Sequence, residues 1–379
     1  MKIKSLILSM LAIMATAFTF TSCSDDDDNT SSNIESEYAY NDNLVAQQKA
    51  SSKKDQAILL IAFGSTWNNA FEAFDETKAA YEKAFPNADV YVSFSSDICI
   101  NRASIGEHED ANGNLVQRDY YEPRYLLHAI GKAQYSKITV QSLQVIPGEE
   151  FANVVASVKK FLNNGYISSA HLDDKYLESV EVRLGVPLLN DPDDDVPAVA
   201  AQLDKIYSAQ AKNGVVAFMG HGNPDTYDTF KANIRYTQLE EALQTISPNY
   251  YVGTVDMPDN YKQNVLSRIQ ANSKTTTAKT LTLQALMSIA GDHAHNDMIG
   301  GYDGNESDYW DASEPESEDN SWFEYFKNVG KYTSINCKLD GETEPIGLLE
   351  IEGVRNIWIQ HTKNAELLED AYHSMYPEE

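Results

Sequence analysis

From residue 56 onward, unbroken apolar runs alternate with stretches whose apolar residues recur at helical spacing. "AILLIAFGS" (57–65) is an apolar run that stops at Gly-Ser, and "NAFEAFDETKAAYEKAF" (69–85) follows with helical periodicity. "ADVYVSFSS", "KITVQSLQVIPGEE" and "VEVRLGVPLL" predict three more strands, separated by the helical "PRYLLHAIGKA" and "FANVVASVKKFLNNG". A β–α–β–α order predicts parallel sheets covered by helices. The pattern restarts at "NGVVAFMGH" (213–221) and continues with "YYVGTVD" (250–256) and "KTLTLQALMSIAGDH" (279–293). The predicted fold class is therefore α/β, with two similar doubly wound parallel-sheet halves, 56–204 and 205–379, facing one another across a cleft.

The restart is also visible residue by residue. "TVQSLQVIPGEE" (139–150) laid on "TLQALMSIAGDH" (282–293) shares Thr, Gln, Leu, Ile and Gly in register. Laid out in the same way, Gly64-Ser65 falls on Gly220-His221. This alignment sets Ser65 and Glu150 of the first half against His221 and His293 of the second. All four lie just past strand C-termini, where open α/β sheets bind ligands. Asp256, after "VGTV", ends a third strand. Two imidazoles and a carboxylate from neighbouring strand ends make a divalent metal site with open positions. The plainer reading keeps the histidines as hydrogen-bonded turn residues and Asp256 as a helix cap. His295 is expected to face away from His293, and Asp292 and Asp297 either orient imidazoles or cap a helix. Neither "GHGN" nor "AGDH" carries the Lys-Ser/Thr of a phosphate loop.

Charge and termini narrow the setting. There are 57 acidic residues against 29 basic ones, a net charge of −28. That excludes nucleic acid as a partner, because phosphates need a basic surface. Lys2 and Lys4 precede a 16-residue apolar stretch, "SLILSMLAIMATAFTF", short of the roughly 20 residues that span a bilayer. "TSC" then resembles a bacterial lipobox, which makes 1–22 a lipoprotein signal peptide and Cys23 the lipidated residue. Residues 23–55, with "SDDDDNTSSN" directly after Cys23, are expected to be a disordered acidic tether. An acidic run after a lipidated cysteine is similar to the surface-export signal of Bacteroides-type lipoproteins. The expected location is the outer membrane, lipid-anchored and surface-exposed, with a periplasm-facing anchor as the alternative. Cys99 and Cys337 remain, too few for a disulfide scaffold or a Cys-rich zinc site. The acid-rich "DGNESDYWDASEPESEDN" (303–320) is expected to be a solvated loop.

Seven segments occur together in an order that resembles one family: "AILLIAFGST", "VQSLQVIPGEEF", "LGVPLL", "VVAFMGHGN", "VGTVDMP", "IAGDHAHNDM" and "SWFEYFKNVG". They resemble the class II anaerobic sirohydrochlorin cobalt chelatases over nearly all of 56–379. The resemblance implies two ferrochelatase-like halves and insertion of Co²⁺ into a tetrapyrrole, the chemistry of anaerobic cobalamin synthesis, with Fe²⁺ or Ni²⁺ as alternative metals. It implies His221, Asp256 and His293 as metal ligands and sets Glu150 in the same cavity. His221, His293 and Glu150 are the candidate catalytic groups, and Ser65 and Gln144 the candidate tetrapyrrole contacts. The chain departs from the family in three places. Gln144 replaces a usual His, no further His follows "GHG", and the third ligand is Asp256 rather than Glu. A lipid-anchored chelatase is oddly placed for cobalamin synthesis. The rival reading is a surface lipoprotein that captures haem or another tetrapyrrole, with an outer-membrane transporter as partner and a histidine as axial ligand. A divalent-metal scavenger is the third reading.

Overall fold

The run at 57–62 forms a strand because alternate residues meet different hydrophobic layers. Ile58, Leu60 and Ala62 join one core cluster, while Ala57, Leu59 and Ile61 join another. In the computed structural model, which describes residues 30–109, 113–166, 171–275, 277–304, 306–339 and 342–368, this is β1 (Gln56–Ala62). The other strands are β2 (Ala88–Phe94), β3 (His108–Glu109), β4 (Leu115–Val116), β5 (Lys137–Ser142), β6 (Glu181–Gly185), β7 (Val215–Gly220), β8 (Tyr250–Thr254), β9 (Thr280–Ala285), β10 (Ser334–Asn336) and β11 (Glu366–Leu367). They form a five-stranded sheet in the order β11-β6-β5-β1-β2, a four-stranded sheet in the order β10-β9-β7-β8, and a small β3-β4 hairpin. All pairings in the two large sheets are parallel except β11 with β6. The fold is α/β, as the pattern of apolar runs predicts.

The two sheets share a central core. Ile58 and Leu60 of β1 lie in the same buried cluster as Val216 and Phe218 of β7, with Trp358, Leu203 and Tyr207 from helices between them. The opposite face of each sheet has its own cluster. Three hydrophobic layers thus sandwich two sheets, and the middle layer joins them.

The repeat is recorded in hydrogen bonds as well as in sequence. Gln141 Nε2 donates to the carbonyls of Ser142 (2.6 Å) and Val186 (2.8 Å), and Gln284 Nε2 donates to those of Ala285 (2.9 Å) and Ile346 (2.7 Å). Each amide oxygen accepts one hydroxyl, from Thr362 and Tyr207 respectively. Leu188 and Leu189 donate to Gln144 and Val145, just as Leu348 and Leu349 donate to Met287 and Ser288. Leu143 donates to Ile61, and Leu286 to Met219.

These bonds set the register and correct one expectation. Since Leu143 matches Leu286, Ile61 matches Met219, and counting onward aligns Gly64 with Gly222. Both glycines adopt positive φ, +113° and +78°. His221 therefore corresponds to Phe63, and Ser65 to Asn223. The match of Ser65 with His221 is out by two residues, because the eye pairs "GS" with "GH" where the chain turns at the next glycine. Glu150 and His293 keep their expected match.

Further differences from expectation concern the ends of the halves. The tether expected over 23–55 is helical from Thr30 to Ser52. Val45 is fully buried, and Gln48 and Ser52 hydrogen-bond Asp89. The signal peptide, Cys23 and the start of the tether lie outside the described residues. The boundary at 204/205 falls inside the helix Asp195–Asn213, and β11 of the second half completes the first sheet. Among the described residues no helix is long and apolar enough to cross a membrane.

Candidate functional site

His221 follows β7 directly, and the turn after it is closed by backbone. Its carbonyl accepts the N–H of Asp256 (2.9 Å), which draws the ends of β7 and β8 together. Its Nδ1 lies 2.7 Å from the carbonyl of Gly222 and 3.4 Å from Asp256 Oδ2. His293 opens a short π-helix, His293–Met298, just past β9, a local widening of the kind found at functional sites. Its Nδ1 lies 2.5 Å from Asp297 Oδ2, one turn along the same segment. The two imidazoles meet edge to face, with ring centroids 4.7 Å apart.

Each ring thus has an oxygen acceptor at Nδ1. That fixes the Nδ1–H tautomer and leaves the Nε2 lone pair as the donor. Asp256 stands on the Nδ1 side of His221. Among the described residues no three His, Cys, Asp or Glu side chains already form a metal cage. The recorded arrangement is an open pair of imidazoles with a carboxylate behind each. All four side chains remain between about a third and a half exposed, so an incoming ion can reach them.

The two rings titrate differently. Enclosure in the recess, and next the neighbouring His293, hold His221 below the ordinary imidazole value. Enclosure also opposes charge on His293, but the Asp297 carboxylate overrides it and holds that ring above the ordinary value. Glu150 lies in the first turn of the helix Glu149–Leu162, after the Pro-Gly turn that follows β5. It is open to water, yet walled by protein atoms, and this desolvation pushes it up to about 7.

The strand-end turns of the two halves touch reciprocally. A Cβ on Gly148 would lie 3.2 Å from Asn223 Nδ2, and one on Gly291 would lie 3.4 Å from Ser65 Oγ. In the corrected register Ser65 matches Asn223 and Gly148 matches Gly291, so these are the two copies of one contact. A pseudo-twofold axis runs between them. Trp67 adds a contact that sequence reasoning missed. It stacks flat on His295 at 3.6 Å and donates Nε1–H to Asp292 (2.5 Å). His295 is buried against that indole, and burial pushes it down to about 4. Its ring contacts Trp67, whereas the ring of His293 contacts His221. The helical period after "FGST" hides Trp67, whose partners lie more than 220 positions away.

Ser65 and Gln144 are both buried, which sets them beneath the site rather than on its surface. Ser65 Oγ accepts the N–H of Trp67, and Gln144 Oε1 accepts the hydroxyl of Ser142. Asp256 caps no helix, since the next one, Lys262–Ala271, has Tyr261 at its N-cap. The acid-rich loop stays largely exposed, and buried Lys262 holds it by donating to the Ser317 carbonyl (2.7 Å).

Comparison with known proteins bears on this arrangement. A family model described as cobalt chelatase (CbiK) matches residues 56–366. A sirohydrochlorin cobaltochelatase, CbiKC, of Nitratidesulfovibrio vulgaris is 26% identical over 84% of this chain and 93% of its own length. The sirohydrochlorin cobaltochelatase of Salmonella typhimurium is 27% identical over 64% of this chain and 80% of its own. Among solved structures, SirB from Bacillus subtilis with Fe³⁺ aligns with 84% of this chain and 97% of its own, at 13% identity and a TM-score of 0.49.

Proposed function

The chain belongs to the CbiK cobalt chelatase family, and on that premise we propose that it inserts Co²⁺ into a sirohydrochlorin-type tetrapyrrole held at the facing strand ends of its two sheets. The observation that carries this reading is the pair of imidazoles 4.7 Å apart, each with Nδ1 engaged and Nε2 open. Insertion exchanges one divalent ion for two pyrrole N–H protons. A complete cage would hold the ion too firmly, whereas two imidazole nitrogens leave coordination positions for the macrocycle. His221 and His293 deliver the ion, with Asp256 the carboxylate in reach of His221. Glu150, poised about neutrality, accepts the two pyrrole protons in turn, releasing each to water. Its match to His293 across the pseudo-twofold axis sets base and metal donors on opposite walls.

Anaerobic incubation of the protein with metal-free sirohydrochlorin and Co²⁺ tests the reading. It expects the absorbance spectrum of the cobalt complex to grow with enzyme concentration. Growth no faster than without protein contradicts it. Haem capture is favoured by one observation, the half-exposed His221 ring, and a haem titration in parallel separates the two. Lipid anchoring at Cys23 belongs to the same proposal, supported by the basic start, the short apolar stretch and "TSC".

A further inference from the structure

The pseudo-twofold axis gives every residue of the metal-facing wall a counterpart. The hydrogen-bond register matches His221 with Phe63 and Glu150 with His293. It also matches Asp256 with Ser96, because Ser96 donates to the Phe63 carbonyl (3.1 Å) as Asp256 donates to that of His221 (2.9 Å). The first half thus sets Phe63, Ser96 and Glu150 where the second sets His221, Asp256 and His293. Phe63 is 49% exposed, although it directly follows six buried residues of β1 and is a large aromatic. A lone exposed apolar side chain is ordinary on a protein surface; what singles out Phe63 is its register match to His221 at the strand end. A planar macrocycle between the two walls presents one face to each. An imidazole on both faces would close the axial positions of the inserted metal and hold the product. An aromatic ring without a lone pair offers stacking and no coordination.

Resting on the chelatase reading, we infer that Phe63 is a tetrapyrrole-binding residue: it covers the macrocycle face opposite His221 and governs affinity for the organic substrate but not for the metal. The residue is exposed, so its replacement leaves the core intact. Metal-free sirohydrochlorin is titrated into wild type, Phe63→Ala and Phe63→Tyr by absorbance, and Co²⁺ is titrated into the same proteins by calorimetry. Phe63→Ala is expected to weaken macrocycle binding about tenfold, the order of one lost aromatic stacking contact. Phe63→Tyr should retain binding, and cobalt affinity should be the same in all three. Unchanged macrocycle binding in Phe63→Ala overturns the inference and leaves the chelatase reading standing. Weakened cobalt binding in Phe63→Ala overturns it too, since Phe63 would then shape the metal wall. Failure of the wild type to bind the macrocycle overturns the chelatase reading itself, and the inference with it.

Discussion

Asp297 acts on the His293 ring in two ways. By accepting the Nδ1–H of His293 it orients the ring, but it also stabilises the imidazolium. Metal needs the neutral ring, so a proton must leave His293 before Nε2 can bind. A raised pKa means the ring is protonated at low pH and becomes available only as pH rises past the ordinary imidazole value, about 6.5. Cobalt affinity should therefore climb with pH and level off above that value. In Asp297→Asn the carboxylate is lost, so the inflection should move to lower pH, while affinity on the plateau drops roughly tenfold through looser orientation. Calorimetric cobalt titrations between pH 5.5 and 8.5 read both effects. An inflection that stays in place in Asp297→Asn would remove Asp297 from this role. His221, held below the ordinary value by its enclosure and by the neighbouring His293, should lose its proton at lower pH than His293.

The element scale is where the duplication shows its physical content. Gln141 and Gln284 sit at matched positions in matched central strands, and each ties its strand to the loop that follows the next one. Gln284→Leu would leave the Ile346 carbonyl and the Tyr207 hydroxyl without their partner in a buried place. Orphaned buried groups cost about 1–3 kcal/mol each. With two groups orphaned, urea denaturation should show a loss of about 2–6 kcal/mol, with the slope unchanged. No loss would mean that water or a shifted side chain replaces the amide. Five identities in twelve residues were enough to read the β5/β9 correspondence, and hence Glu150 opposite His293, from the sequence alone. The apolar runs were enough for the parallel strands. The β1/β7 register was not legible, because only backbone bonds and the positive φ of Gly64 and Gly222 distinguish it from a slip of two. Trp67 and the return of β11 were illegible for another reason. They rest on contacts between distant segments, which leave no local pattern.

At the scale of the whole molecule, two half-sites with different chemistry face one another on a shared core. The C-terminal helix Glu352–Lys363 packs its fully buried Trp358 into that core, so the end of the second half helps to hold the first. Duplication supplies two equivalent walls, and divergence gives one wall imidazoles and the other a phenyl ring and a carboxylic acid. On the proposed reading, a metal ion then has one side to arrive from. The central claim is that His221 and His293 together hold the ion that is inserted. The most direct measurement is calorimetric titration of Co²⁺ into wild type, His221→Ala and His293→Ala at pH 7.5, without tetrapyrrole. One main site in the wild type, weakened about tenfold or more in each variant, is the predicted result. Equal affinity in all three proteins would make the two histidines turn residues and contradict the account.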